Sequence, residues 1–316
     1  LNFSLHRDIN SKSNIYISTG LQNSQCMKIF VNNFATPLTN NDSKSNYIDI
    51  KFRYSSFSSQ ISIVNGEQET SGLEQWKYNF QVADCLFDYE FSYKNIFIRP
   101  ALSLRVSEYD GGFIGASQSI QNYSFSTFGD YRFNTKWRIL AAVRTDKYNY
   151  PNKTYFSYQL SSSYRINRKH LLRCSFGYSN KFPFMLDTYM DFTMDLDYAD
   201  VFYRGNKKLS LLTARSYEIG YRWQFFKNIF FEGEGFYTEV SNFSNLIFHD
   251  YKTDTEKMDI FYQYHNIQYT AEQYGVTLQL AYSGLGNFNS DIFATIQNTK
   301  YKSGHKSLSN YYRPFE

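Results

Sequence analysis

From Tyr155 to Ile166 the chain reads YFSYQLSSSYRI. Phe156, Tyr158, Leu160, Tyr164 and Ile166 alternate with Ser157, Gln159, Ser161, Ser163 and Arg165, and only Ser162 breaks the apolar series. A strand sends successive side chains to opposite faces, so this segment has one greasy side and one polar side. The same two-residue period returns along most of the chain, and no candidate helix is available to cover the greasy side. A large sheet with an apolar face that no protein element covers belongs in lipid, where only a closed barrel satisfies every backbone group. The expected fold class is all-β, an antiparallel transmembrane β-barrel.

Composition agrees with this. Of 316 residues, 20% are aromatic, with 30 Tyr, 30 Phe and only 5 Pro. Tyr and Phe favour strands and also collect at membrane–water boundaries. A mean hydropathy of -0.52 does not oppose a membrane location, because half of each barrel strand faces a polar interior. No apolar run approaches the roughly 20 residues that a membrane helix needs. The opening LNFSLHRDIN has neither the basic start nor the apolar core of an export leader. Either the mature chain starts here, then, or the sequence is an interior piece of a longer protein.

The connections follow a rule of their own. Lys94-Asn95, Asn134-Thr135, Asn167-Arg168-Lys169, Lys227-Asn228 and Ser283-Gly284-Leu285-Gly286 read as tight turns. Between them lie longer links: SEYDGGFIGASQ, a modest one at Tyr150-Pro151-Asn152, a long one from about Asn180 to Leu212, and another over roughly 242–258. Short turns on one side and long loops on the other mark an outer-membrane barrel, with the short turns periplasmic. About fourteen strands are expected, including one long strand from about Ile260 to Tyr282. In the first 73 residues NYIDIKFRY and QISIV pair as a hairpin, and 14–34 forms one long strand or two short ones. The strand from Trp76 to Tyr93 changes apolar parity between Val82 and Cys85, which fits either a bulge or a misread strand. SLSNYYRPFE reads as a loop. No linker divides the chain, so 1–316 is expected to be a single domain.

The polar faces carry arginines: Arg53, Arg99, Arg105, Arg138, Arg144, Arg165, Arg173 and Arg222, with Glu218 among them. In a barrel these face the lumen, where Asp49, Asp130 and Glu218 are the expected partners, together with carboxylates of whatever fills it. The long link DTYMDFTMDLDYAD holds Asp187, Asp191, Asp195, Asp197 and Asp200 among Tyr189, Phe192 and Tyr198. It lacks the spacing and glycine of a helix–loop–helix calcium site, and reads as a solvated outer loop, with a calcium or ligand contact as the alternative. The five histidines are scattered without metal or nucleophile spacing, and no catalytic residue, metal or cofactor is expected. Cys174 falls on an apolar face as a packing residue, and the sequence leaves open whether Cys26 and Cys85 pair. The net charge of +4 is spread along the chain and forms no basic stripe, so nucleic acid is not an expected partner.

One region carries a family likeness. Asn180-Lys181-Phe182-Pro183, then Gly205-Asn206 with Leu209, then SYEIGYR (Ser216 to Arg222) with Glu218 and Gly220, then FFEGEGFYTEV follow one another. In kind and order this resembles the TonB-dependent outer-membrane receptors, in which an Arg-Ala-Pro-like element, a loop end, a Glu-x-Gly strand and an aromatic hairpin recur. Leu212-Thr213 stands where the family has Pro-Glu. The resemblance implies a 22-stranded barrel filled by an N-terminal plug, of which this chain would supply about fourteen strands, without the plug or the terminal strands. It also implies residence in the bacterial outer membrane, in contact with the bilayer. The implied activity is energy-coupled uptake of a scarce bulky ligand (a siderophore, cobalamin, oligosaccharide or peptide) driven by a periplasm-spanning TonB-type partner. Asp187, Tyr189, Asp191, Phe192, Asp195, Asp197 and Tyr198 are the candidate ligand contacts. The alternative is a non-energised outer-membrane channel or adhesin.

Overall fold

The computed structural model describes residues 1–28, 39–71, 76–182, 185–253, 257–284 and 288–303. Its strands are β1 (Asn2–Asn10), β2 (Ser13–Lys28), β3 (Thr39–Tyr54), β4 (Phe57–Ser71), β5 (Trp76–Tyr89), β6 (Phe91–Tyr93), β7 (Ile96–Gly111), β8 (Gln118–Arg132), β9 (Trp137–Tyr148), β10 (Thr154–Arg165) and β11 (His170–Lys181). A short helix, α1 (Met185–Tyr189), precedes β12 (Asp191–Asp195) and β13 (Ala199–Arg204). The chain continues through β14 (Leu212–Phe226), β15 (Ile229–Ser241), β16 (Ser244–Lys252), β17 (Met258–Asn266), β18 (Tyr269–Ser283) and β19 (Asn289–Ser303).

A 15-stranded antiparallel sheet runs in the order β1-β2-β3-β4-β5-β7-β8-β9-β10-β11-β14-β15-β18-β19, with β6 beside β7 as the continuation of β5 past Glu90. Within each hairpin a tight turn returns the strand to its chain neighbour, and the long connections bring successive hairpins side by side, as β11 beside β14 and β15 beside β18. At Ser55 and Lys94 the turn residues adopt positive φ (53° and 50°), as two-residue hairpins require. Asn134 Oδ1 accepts the backbone N–H groups of Lys136 and Trp137, both at 2.8 Å, and Asn167 Oδ1 accepts that of Lys169 at 2.8 Å. β1 and β19 are the two ends of the sheet and do not pair with each other.

Register fixes the faces. Phe156, Leu160 and Tyr164 oppose Thr145, Ala141 and Trp137, and Leu160 and Tyr164 also oppose Phe176 and Leu172, so these rows share one side. Phe156 and Leu160 are each 49% exposed, where an aqueous core would have hidden them. The interval from Val82 to Cys85 contains no bulge: β5 pairs with β4 and β7 in unbroken register. The parity of apolar residues changes for another reason. Strands of 14 to 16 residues outrun the 9–11 that cross a bilayer. Beyond the lipid, Tyr78 turns to the other face, where its ring meets Phe113 edge-on at 5.8 Å.

Two further expectations change. Ile260–Tyr282 is not one strand; β17 ends at Asn266 and belongs to a second, four-stranded sheet, whereas β18 joins the large one. β1 is an added strand, and 13–28 forms one strand, whereas 29–34 and SLSNYYRPFE lie outside the described residues. All three cysteines are free. Cys26 on β2 and Cys85 on β5 are separated by two whole strands, roughly 14 Å of sheet, beyond disulfide reach.

Among the described residues the deeply buried apolar side chains are Phe113, Ile114, Tyr189, Ala199, Val201, Leu209 and Leu211. None lies in a strand of the large sheet. The ordinary water-excluded core of this protein sits in its long connections.

Candidate functional site

Four long connections meet at one end of the sheet. α1 is pinned inside them: the Tyr189 hydroxyl donates to the Ser119 carbonyl at 3.0 Å, and its ring meets Tyr150 edge-on at 6.0 Å. The Lys207 ammonium stands over both rings, 5.0 Å from Tyr150 and 5.1 Å from Tyr189. Burial pushes the Tyr189 phenol up to about 12, with Tyr150 adding to the shift. Asp187 is also turned inward, where its carboxylate accepts the Ser244 hydroxyl at 2.5 Å. Asp191 donates its backbone N–H to the Phe113 carbonyl at 2.8 Å, tying the 112–117 link to β12.

The 182–211 and 242–268 segments then fuse into one sheet, β12-β13-β17-β16. Its central pair is parallel, Ala199↔Met258 through Arg204↔Gln263, so two separate loops act as one body. On one face Phe192, Tyr203 and Tyr262 stack in a row, with centroids 6.1 and 5.6 Å apart, and Phe248 closes it edge-on at 6.0 Å. On the other face Phe202 lies on Phe261 at 4.8 Å, with Arg204 over Phe202 and Lys252 over Phe261. Asp191 pairs with Arg204 at 2.6 Å, and Asp195 pairs with Lys257 across the two loops. That hydrogen bond and the Lys257 charge hold the Asp195 carboxyl below its usual value and raise Lys257.

The seven candidate contacts therefore divide. Asp187 and Tyr189 brace the loop layer from within, Asp191, Phe192 and Asp195 bind its strands together, and Asp197 and Tyr198 stand exposed on the turn between β12 and β13. The exposed aromatics Phe248 and Tyr251 on β16 carry no sequence signal, because no alternation marks that segment as a strand.

The polar face of the large sheet carries the predicted arginines, and most of them bridge strands. Arg105 grips its register partner Asp84 at 2.6 and 3.0 Å, and Arg138 grips Asp130 at 2.9 and 2.7 Å. Arg144 bonds Asp146, which also accepts the Ser124 hydroxyl at 2.6 Å. Arg53 reaches Glu90 at 3.3 Å. Arg99 on β7 and Arg165 at the end of β10 occupy the same face. Two expected acceptors differ: Glu218 takes the Ser175 hydroxyl at 2.7 Å, and Asp49 takes Gln60 at 2.6 Å and Lys51 at 3.5 Å.

The Glu-x-Gly element has a mechanical meaning here. Arg173, Gly220 and Glu234 are one register row across β11, β14 and β15. Arg173 crosses over Gly220 to reach Glu234, and contacts Glu232 at 2.6 Å. Arg222 meets the same Glu232 at 2.7 Å. Next to this network lies a cavity of about 470 Å³ lined by Arg138, Ser161, Ser163, Arg173, Ser175 and Glu218.

The sequence pattern of the family described as "TonB dependent receptor-like, beta-barrel" matches residues 2–312. No curated protein sequence matches the chain. Among solved structures, a variant of the ferric enterobactin receptor PfeA from Pseudomonas aeruginosa superposes with a TM-score of 0.72 at 12% identity, covering 94% of this chain and 50% of that one. The outer membrane transporter YddB from Escherichia coli gives 0.73 at 11% identity, covering 94% and 47%. The siderophore receptor PirA from Pseudomonas aeruginosa gives 0.67 at 10%, covering 95% and 63%. The chain thus spans about half the length of the first two and under two thirds of the third. Apolar rows open to lipid, a braced polar face, long loops gathered at one end and a family match over nearly every residue agree, and the chain belongs to the TonB-dependent receptor β-barrel family of the bacterial outer membrane.

Proposed function

We propose that this chain forms the wall and outer loops of a receptor that captures a scarce, bulky ligand outside the cell and passes it inward by energy-coupled transport. The ligand is of the siderophore, cobalamin, oligosaccharide or peptide class. Transport runs through a plugged barrel, and a periplasm-spanning TonB-type protein supplies the energy. The observation that carries the reading is the parallel β13–β17 pairing, which makes two outer loops a single body. Such a body can present Tyr198, Phe248 and Tyr251 to one ligand together, whereas separate loops would each lose the entropy of ordering. The arginine-bridged polar wall supports the same reading, because it offers a charged, hydrogen-bonding surface for a plug. The open edges at β1 and β19 are where further strands would complete the barrel.

The test is uptake into whole cells from a panel of radiolabelled ferric siderophores, cobalamin, oligosaccharides and peptides, with and without a protonophore. Saturable uptake of one class, abolished by the protonophore and by loss of the gene, is expected. Uptake that persists without the proton gradient, or scales linearly with concentration, would instead indicate a passive channel. Surface binding with no uptake would indicate an adhesin.

A further inference from the structure

The apolar face of the large sheet has a notch across β14, β15 and β18. Gly233 and Gly235 both lie on that face, in register with Tyr221 and Ile219 on one side and with Leu278 and Val276 on the other. Neither glycine is required by backbone crowding. A Cβ at Gly235 would find only Ile219 nearby, at 3.7 Å, and one at Gly233 would find Leu278 at 3.5 Å. Gly235 lines a cavity of about 590 Å³ whose walls include Cys174, Tyr217, Ile219, Tyr237, Tyr274 and Val276. It opens toward lipid.

The same strands carry charge on the same face nearer the long connections. Arg215, Glu239, Glu272 and Lys300 form one register row across β14, β15, β18 and β19, and Lys302 lies two residues beyond Lys300. Arg215 pairs with Glu239 at 3.2 Å and lies over the Tyr178 ring at 6.0 Å. Lys302 pairs with Glu272 at 2.5 Å, and the Lys300 ammonium stands 5.4 Å over the Tyr274 ring. Three cations thus face two carboxylates, and Arg215 and Lys302 keep 56% and 66% of their side chains exposed. Glu239 lies four positions along β15 from Gly235, about 13 Å, with Tyr237 between them. Interfacial tyrosines mark the depth at which headgroups give way to chains.

We propose that this surface is a binding site for a phosphorylated glycolipid of the outer leaflet. Its phosphate lies on Lys300 and Lys302, and one of its acyl chains lies in the notch at Gly235. The charge row sits at the long-loop end, which faces outward in this architecture, so the headgroup must come from the outer leaflet. Exposed lysines beside aromatic rings attract a phosphate, and the notch rewards an acyl chain with buried apolar contact. Elsewhere on the apolar face Lys44 and Lys77 flank Glu67 at 3.4 and 3.1 Å, but the cavity of about 780 Å³ beside them is lined by the amides Asn23, Asn46, Asn65 and Asn79, which offer an acyl chain no apolar wall like that of Ile219 and Val276.

The test uses the full chain in detergent, titrated with bisphosphorylated lipid A, its dephosphorylated form and phosphatidylglycerol, with retention read by native mass spectrometry. Bisphosphorylated lipid A is expected to bind, with affinity falling at least tenfold in the double variant Lys300→Ala/Lys302→Ala and in Gly235→Leu. Lys44→Ala/Lys77→Ala should bind as the parent does, and the dephosphorylated lipid should bind at least tenfold more weakly. The lysine positions are exposed, so their variant tests the site even if Gly235→Leu does not fold. Equal retention in the Lys300/Lys302 variant and the parent would overturn the proposal. So would equal retention of phosphatidylglycerol with the same sensitivity to the variants, which would make the surface a general anionic-lipid contact.

Discussion

Gly220 leaves the gap through which Arg173 passes, since a Cβ at Gly220 would lie 2.6 Å from the Arg173 Nε. The arginine gains Glu234 and Glu232 on the far side of β14 because the residue between has no side chain. Gly220→Val should therefore push the guanidinium off both carboxylates and lower the unfolding temperature. Glu234→Gln, which removes one of the two acceptors, should cost less, on the order of 1 kcal/mol for a half-exposed pair. The shift of the folded band in a heat-modifiability gel reads both effects, and an unchanged Gly220→Val midpoint would contradict the crossing.

Tyr189 should be the keystone of the loop layer. Tyr189→Phe removes only the bond to Ser119 and should cost about 1 kcal/mol. Tyr189→Ala empties the Phe113–Ile114 cluster and should cost about 3–5 kcal/mol, the range for deleting a buried aromatic. Hydrogen exchange should rise across 112–117 and 185–211 in the alanine variant and stay low in the strands of the large sheet.

The loop layer should also tolerate pH over a wide middle range and fail at both ends. Asp195 is depressed below 3.8 in the folded chain, so its contribution is present above that pH and lost as pH falls through its folded value. Lys257 is raised above 10.5 by the same contact, so its share is complete below 10.5 and lost above it. The Tyr189 phenol moves from 10.0 to about 12, so its stabilisation is full below pH 10 and is lost as pH rises toward 12. Limited proteolysis across the pH range should find the loops resistant between these limits and cleaved as pH falls below 3.8 or rises above 10. Equal cleavage at pH 7 and pH 11.5 would count against the buried tyrosine.

Neighbours on one strand should respond oppositely to charge. Leu160→Arg places a cation on the lipid side and should destabilise by about 2–4 kcal/mol, whereas Ser161→Arg enters the polar face and should cost far less. Urea unfolding in lipid vesicles would rank the two, and the reverse order would invert the assigned faces.

The large sheet was legible because a period of two survives in any strand with one wet side, and because Asn134 and Asn167 announce their turns chemically. The loop sheet was not. β13 meets β17 in parallel, so no turn joins them and no local signal marks the pairing, and Ile260 and Tyr274 read as parts of one strand although they belong to different sheets. Tyr78 misled for a third reason. Its side of the strand is the apolar one only above the bilayer, and nothing in sequence marks where the bilayer stops. At the site, the spacing of the aspartates was visible, but Asp187 turning in toward Ser244 depends on a segment 57 residues away.

The seven deeply buried apolar residues all lie in the long connections, while Phe156 and Leu160 stay bare on the sheet. Two solvents therefore hold one polypeptide together: the loop layer answers to water, and the wall answers to hydrocarbon. A thinner or more fluid bilayer should soften the wall and leave the loops untouched, whereas a chaotrope too polar to enter lipid should melt the loops first. The outer surface and the membrane anchor can then drift in sequence under separate physical constraints, joined where Tyr78, Tyr109 and Ile120 pack on the loop cluster and Ser119 receives Tyr189.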